Sequence, residues 1–317
     1  MTNPTPALPT SRHFQLAQVA EGIYAAISID GTGSMSNAGI IDLGEATLIF
    51  DTFATPQAAR DLRAAAELLC GHTIAYVINS HRDGDHWWGN QVFLPAATII
   101  ATGKTHASLL RNKNMSKEKM QASIENDIQD LEARLAQEQN AHKRHAQANE
   151  IATRREILAA MPTFEKAMPT LTFEQQLTLH GSQRTAELLT YGGGHTESDM
   201  FLYLPDDGVL FLGDLLFVRT HPWVGAGNPE EWRRILQQIE RSNFTVVVPG
   251  HGPLGEKSDL ALLRRYLASL AALAEECMSK DLPLEEATKT SLPAPFDEWE
   301  GADTFDDNME FFYSRGK

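Results

Sequence analysis

The segment NSHRDGDHWWGN, residues 79–90, concentrates the side chains best suited to chemistry. His81, Asp83, Asp85 and His86 fall within six residues. Imidazole and carboxylate are the ligands that hold zinc, iron and manganese. This spacing suits a turn, which aims several side chains at one place; a regular strand or helix would spread them over different faces. Three more residues share the context. His195 follows three glycines in TYGGGHTESD, Asp214 lies in VLFLGDLLF, and His251 lies in TVVVPGHGP. Each comes at the end of an apolar run that reads as a strand. The neighbouring glycines allow tight turns and close backbone approach. Four ligand positions at four strand ends describe a site built along one edge of a sheet structure.

The elements that would position these residues can be read on either side of them. GIYAAIS, AGIIDLG and ATLIFDT are short β-rich runs broken by Gly and Asp. Residues 55–70 read as a helix, with Thr55 as N-cap, Pro56 at the first helical position and Gly71 as the stop. IAYVINS, at 74–80, is a continuous apolar strand leading straight into the His/Asp segment. From about 104 to 168 no strand is found. Met120, Ile124, Ile128, Leu131 and Leu135 make one helical stripe there, so a helical insertion is expected, as an antiparallel pair that covers the site or meets a second copy of the chain. Strands return from about 171, and helices are expected at 229–241 and about 257–280. Two β-rich halves, 14–103 and 170–250, would pack face to face with helices outside.

The whole chain sets outer limits. Its 317 residues, with 42% hydrophobic and 22% charged, fit a soluble globular protein, and a single domain is expected over 1–317. A net charge of −15 argues against a nucleic-acid partner, and the basic run Arg111, Lys113, Lys117 and Lys119 reads as a solvated helix face. No run approaches the roughly 18 apolar residues that a membrane span needs. The start, MTNPTPALPTSRHF, reads as a flexible lead-in without a secretory pattern. Residues 281–317 read as an acidic extension serving solubility. Cys70 and Cys277 lie far apart in the sequence, so both are expected as buried thiols, and a cytoplasmic location is expected. No phosphate-binding loop and no G-x-S-x-G nucleophile turn is present.

Taken in order, HRDGDH, GGGHT, LGD and PGHG resemble the signature of the metallo-β-lactamase superfamily, from about residue 14 to 255. SNAG at 36–39 and FDT at 50–52 are similar to its early loop and strand end. The resemblance implies an α/β fold, a four-layer αβ/βα sandwich with a metal site along one edge. It implies two divalent metal ions, with zinc the first expectation. One metal would take His81, Asp83 and His195, the other Asp85, His86 and His251, with Asp214 shared. The family pattern has a His where this chain has Asp83. That extra carboxylate favours a harder metal, so iron and manganese stay open. The activity implied is hydrolysis of a small ester, thioester, lactone or amide by a metal-bridging hydroxide, with Asp85 orienting it and moving its proton. The alternative is a non-haem iron oxidoreductase, dioxygenase-like, because His81, His195 and Asp83 also make a two-His, one-carboxylate set. Asn37, Trp87 and His221 are candidates to touch substrate, although one of Trp87 and Trp88 is expected to pack. Asp51 is either a turn former or the acceptor that fixes a ligand imidazole.

Overall fold

The computed structural model describes residues 8–111 and 115–315. Lys113 of the basic run, and the first seven residues of the lead-in, lie outside the described residues. The first half forms a seven-stranded sheet: β1 (Phe14–Ala20), β2 (Ile23–Ser28), β3 (Ala38–Asp42), β4 (Thr47–Phe50), β5 (Ile74–Ile78), β6 (Thr98–Thr102) and β7 (Leu171–Phe173), in that spatial order. β1 to β4 pair antiparallel, and β4 to β7 pair parallel. The second half forms a five-stranded sheet in the order β12-β11-β10-β9-β8, from β8 (Gln176–His180), β9 (Thr185–Gly192), β10 (Asp199–Leu204), β11 (Val209–Phe217) and β12 (Val246–His251). Only β11 and β12 run parallel in it.

The period-two pattern of the strands decides the layers. Ile41, Leu48, Ile78, Phe211 and Val248 point between the two sheets. Their neighbours Ile40, Ile49 and Val77 point the other way, onto Ala58 and Leu62 of α1 (Pro56–Cys70). Leu210 likewise leaves the central layer and joins the core beneath the second sheet's helices. Helix, sheet, sheet and helix layers therefore stack, as four layers. The first helix starts and stops as its sequence predicts. Thr55 caps Ala58 N–H, Pro56 opens the helix, and Gly71 ends it at φ 69°, donating its N–H to Glu67 O.

The segment expected as a helical insertion holds α2 (Gly103–Arg111), α3 (Lys117–Gln137) and α4 (Ala141–Ala160). The last two form a hairpin, tied by Arg155 to Glu132 and by Arg144 to the Leu135 carbonyl. Met120, Ile124 and Ile128 are buried, in one cluster with Met35, Ala54, Trp88 and Phe164. The stripe thus packs within the chain, onto the loops beside the His/Asp segment. Lys117 and Lys119 are exposed, and Arg111 pairs with Glu197 at 2.6 Å.

The second sheet is covered by α5 (Pro229–Ile239), capped by Asn228, and by α6 (Lys257–Ser279). The acidic extension departs from its expectation. Residues 284–315 carry α7 (Leu284–Ala287) and α8 (Ala302–Arg315), and Phe296, Trp299, Phe305 and Met309 are buried against α6 and the core beneath the second sheet. Its charge faces outward while its apolar side completes the core, so it is not a solvated tail. The sequence signal for this is aromatic and Met residues interleaved with the acids. Among the described residues, no helix is long and apolar enough to cross a membrane. Cys70 and Cys277 are free and buried.

Candidate metal centre

The turn after β5 folds as a short 3₁₀ segment over Gly84–His86. It is clasped by a buried amide pair: Asn79 Nδ2 donates to Asn90 Oδ1 at 3.0 Å, and Asn90 Nδ2 donates back to Asn79 Oδ1 at 2.8 Å. The two asparagines bracket the segment and aim its ligands inward. On the other sheet, Asp199 accepts from the backbone of Gly194 at 2.7 Å and of Thr196 at 3.0 Å, which holds the turn bearing His195. Asp214 does not end its strand as expected. It sits inside β11, where the backbone turns at Gly213 with φ 50° and the pairing with β12 shifts register. Gly250 lies so close that a Cβ there would meet Asp214 Oδ1 at 1.9 Å, so only glycine lets the strand bearing His251 approach.

These elements bring all seven residues to one edge of the sandwich. His81, His195 and Asp214 form one group and Asp85, His86 and His251 another, each with ligand atoms within 4.8 Å of one another. Asp83 joins the first group, its Oδ2 lying 3.1 Å from His195 Nε2 and 3.5 Å from His81 Nε2. Asp214 faces both. Its Oδ1 is 3.1 Å from His86 Nε2 and 3.4 Å from His251 Nε2. Its Oδ2 is 3.3 Å from His195 Nε2 and 3.7 Å from His81 Nε2.

A tetrahedral ion with bonds of 2.0–2.1 Å keeps its ligand atoms about 3.3 Å apart. The separations within each group match that figure. His81 Nε2, His86 Nε2 and Asp214 Oδ1 are buried with no hydrogen-bond partner, a state that buried polar atoms rarely adopt without a ligand to meet. The residues therefore fit two cations. Imidazole orientation agrees. A carbonyl can only accept, so His195 Nδ1 donates to Trp223 O at 3.0 Å and turns Nε2 toward Asp83 and Asp214. Asp51, in a left-handed backbone conformation at φ 58°, takes the Nδ1 proton of His86 at 2.8 Å. It also takes the Ser80 hydroxyl proton at 2.7 Å, and Ser80 Oγ faces His81 Nδ1 at 2.9 Å. One carboxylate thus orients two ligand rings, one directly and one through a hydroxyl.

Burial penalises the charges of His195, His251, Asp83, Asp85 and Asp214, yet opposite charges outweigh it. His195 is raised to about 9 by Asp214 and Asp83, and His251 to about 10 by Asp214 and Asp85. Asp214, Asp83 and Asp85 are held below the usual carboxylate range by the facing imidazoles. Metal binding must expel the Nε2 protons, so it is proton-linked and strengthens with pH. The cluster opens to solvent at Asp83, with 26% of its side chain exposed, and at His251, with 18%. Phe217 stacks on the His251 ring at 5.0 Å, and Trp232 meets His195 at 5.4 Å, walling the inner side.

Replacing Asp51 by Asn should lower affinity for metal about 10- to 100-fold, because the Nδ1 acceptor for His86 loses its charge. Competitive titration with a chromophoric chelator measures this. Unchanged affinity would reduce Asp51 to a turn former.

The candidate substrate residues fare differently. Asn37 spends its whole amide on backbone: Oδ1 accepts from Ser28 N–H at 2.9 Å, and Nδ2 donates to Pro249 O at 3.0 Å and Gly252 O at 2.9 Å. It clamps the early loop to the turn that carries His251. Trp87 is buried, donating Nε1–H to Arg82 O at 3.0 Å, whereas Trp88 is half-buried against Phe164 of the insertion. The structure gives His221 a different setting. It is buried in a cluster with Tyr266, Trp299 and Phe305, its Nδ1 2.8 Å from the Tyr266 hydroxyl. All three candidates are buried, and the turns and aromatic core they serve have no local signal in the sequence. Ser80 and Asp199, which hold residues of the cluster, and Asn308 of α8 stand outside the sequence expectation. SH at 80–81 and the Thr196/Asp199 spacing were the available signals for the first two.

Burial holds His221 at about 4 instead of 6.5, helped by Lys143. The unfolded chain therefore takes this proton first. The stability concerned is present above pH 6.5 and is lost as pH falls toward 4, amounting to about 3 kcal/mol. Urea unfolding of metal-free protein at pH 7 and 4.5 tests this. Wild type should lose more stability than His221→Gln; equal losses would contradict it.

A metallo-beta-lactamase superfamily model matches residues 31–251. The chain belongs to that superfamily. Solved structures agree on the fold. A metallo-beta-lactamase from Pontibacter korlensis superposes with a TM-score of 0.59 at 17% identity, covering 81% of this chain and 99% of that one. VMB-1 gives 0.59 at 19%, covering 83% and 100%. A metallo-beta-lactamase from Hirschia baltica gives 0.58 at 13%, covering 81% and 98%. None of the curated proteins matches the sequence. At such identities the likeness speaks for the fold alone, and the four-layer sandwich expected from the sequence is the fold found.

Proposed function

We propose that this superfamily member is a dinuclear metal-dependent hydrolase acting on a small ester, thioester, lactone or amide. The observation that carries the reading is Asp214, whose two oxygens each face a separate pair of histidine Nε2 atoms. A carboxylate so placed is suited to sit between two cations. His81, Asp83 and His195 would hold one, Asp85, His86 and His251 the other. Zinc is the first choice, and Asp83 admits iron or manganese. Bound there, the two ions would supply an activated water and polarise the scissile carbonyl. The chain's own part is positional. Asp85, partly open to solvent, accepts and passes on the proton of a water at that edge. Phe217 and Trp232 keep bulk water from the inner side. The two free cysteines suit a reducing compartment such as the cytoplasm.

The test is metal analysis of protein purified without chelator, joined to turnover of generic esters and lactones. Two equivalents of zinc or manganese with ester turnover support the reading. One equivalent of iron, with O₂ uptake on a thiol substrate, would replace it with the oxidoreductase that the His81, His195 and Asp83 set allows.

A further inference from the structure

The aim of His195 depends on one backbone carbonyl, Trp223 O. Residues 221–224 have no helix or strand of their own, so something else must hold that carbonyl still. Asn308, fully buried on α8, does so from both sides. Its Oδ1 accepts from Val224 N–H at 2.9 Å, and its Nδ2 donates to Pro222 O at 2.7 Å. The two bonds straddle Trp223. α8 is anchored in turn by Phe305 and Met309 in the core. The approach to it is fixed by Glu300, which exchanges backbone bonds with His221 at 2.8 Å and with Arg219 at 3.0 Å.

We infer that Asn308 is a positioning residue of the metal centre: it fixes the Trp223 carbonyl and, through it, the Nε2 of His195. The C-terminal helix, which supplies no ligand, is then a working part of the site. A residue that only packed the core would not need both amide atoms matched to one loop. The inference rests on the dinuclear reading for its consequence, though not for the clamp itself.

The experiment uses Asn308→Leu, which keeps the branched shape and removes both bonds, in the full chain. Stepwise cobalt titration against a competing chelator, followed through the histidine Nδ1–H signals by NMR, assigns each affinity to its site. The site containing His195 should weaken about 10-fold or more, while the site containing His86 and His251 stays within a few-fold. Equal weakening of both sites, or none, would overturn the inference. Two readouts in metal-free protein stand apart from loading. The His195 Nδ1 proton should exchange at least about 10-fold faster in the variant, and the Val224 amide of wild type should exchange slowly. Fast exchange of Val224 in wild type would also overturn it, even if the variant fails to fold. Wild type that binds no metal would sink the proposed function, and the proton-exchange comparison would still decide the clamp.

Discussion

Asp214→Ala is expected to retain at most one metal equivalent and to hydrolyse a test ester at least about 10³-fold more slowly than wild type. The reason lies in how one side chain serves two groups. Oδ1 faces His86 and His251, and Oδ2 faces His81 and His195, all within 3.7 Å. No nearby carboxylate can substitute. Asp83 lies beside the first group alone, and Asp85 beside the second. Without Asp214, His195 and His251 lose one of the anions that raise them, while Asp83 and Asp85 still face them, so the metal-free cluster keeps paired charges. The loss should therefore appear in metal content and rate, with little change in the circular dichroism of the metal-free protein. A variant that keeps two equivalents would refute the shared-ligand geometry.

Asp83→Ala should cost the first site about 100-fold in affinity, and Asp83→His should restore affinity while shifting preference from iron or manganese toward zinc. Asp83 is the most exposed of the seven, yet its Oδ2 is as close to His195 Nε2 as Asp214 Oδ1 is to His86 Nε2, both at 3.1 Å. The same distance serves a direct hydrogen bond between the two side chains, so the variants decide between a ligand and a neighbour. Competition between zinc and manganese, read by elemental analysis of each variant, distinguishes the outcomes. Full occupancy of both sites in Asp83→Ala would remove Asp83 from the set.

The parts of this site that were legible in the sequence share a cause. His81, Asp83, Asp85 and His86 are chemically loud residues crowded next to an apolar strand, and the glycines before His195, Asp214 and His251 mark close approaches. The alternation in β3, β4, β5 and β11 likewise forces two faces, and so four layers, whatever the side-chain details. Long-range polar partnerships were not legible. Asn37 clamps a loop more than 200 residues away, and Asn308 one more than 80 residues away. Neither sits in a local pattern, because a side-chain amide needs only a fitting backbone partner, and the fold alone decides which. The acidic extension misled for a related reason: net charge describes its outer face, while Phe296, Trp299, Phe305 and Met309 decide where it goes.

The split of ligands between the two sheets has a mechanical consequence. Each group takes residues from the turn after β5 and from the second sheet. An ion in either place would be a rivet through the open edge of the sandwich, joining two sheets that the chain itself links through the short connection at 174–175. Prying the sheets apart and releasing metal are then the same event, seen once as unfolding and once as dissociation. The unfolding free energy should climb with the logarithm of free metal concentration, by about 1.4 kcal/mol for each decade and each bound ion.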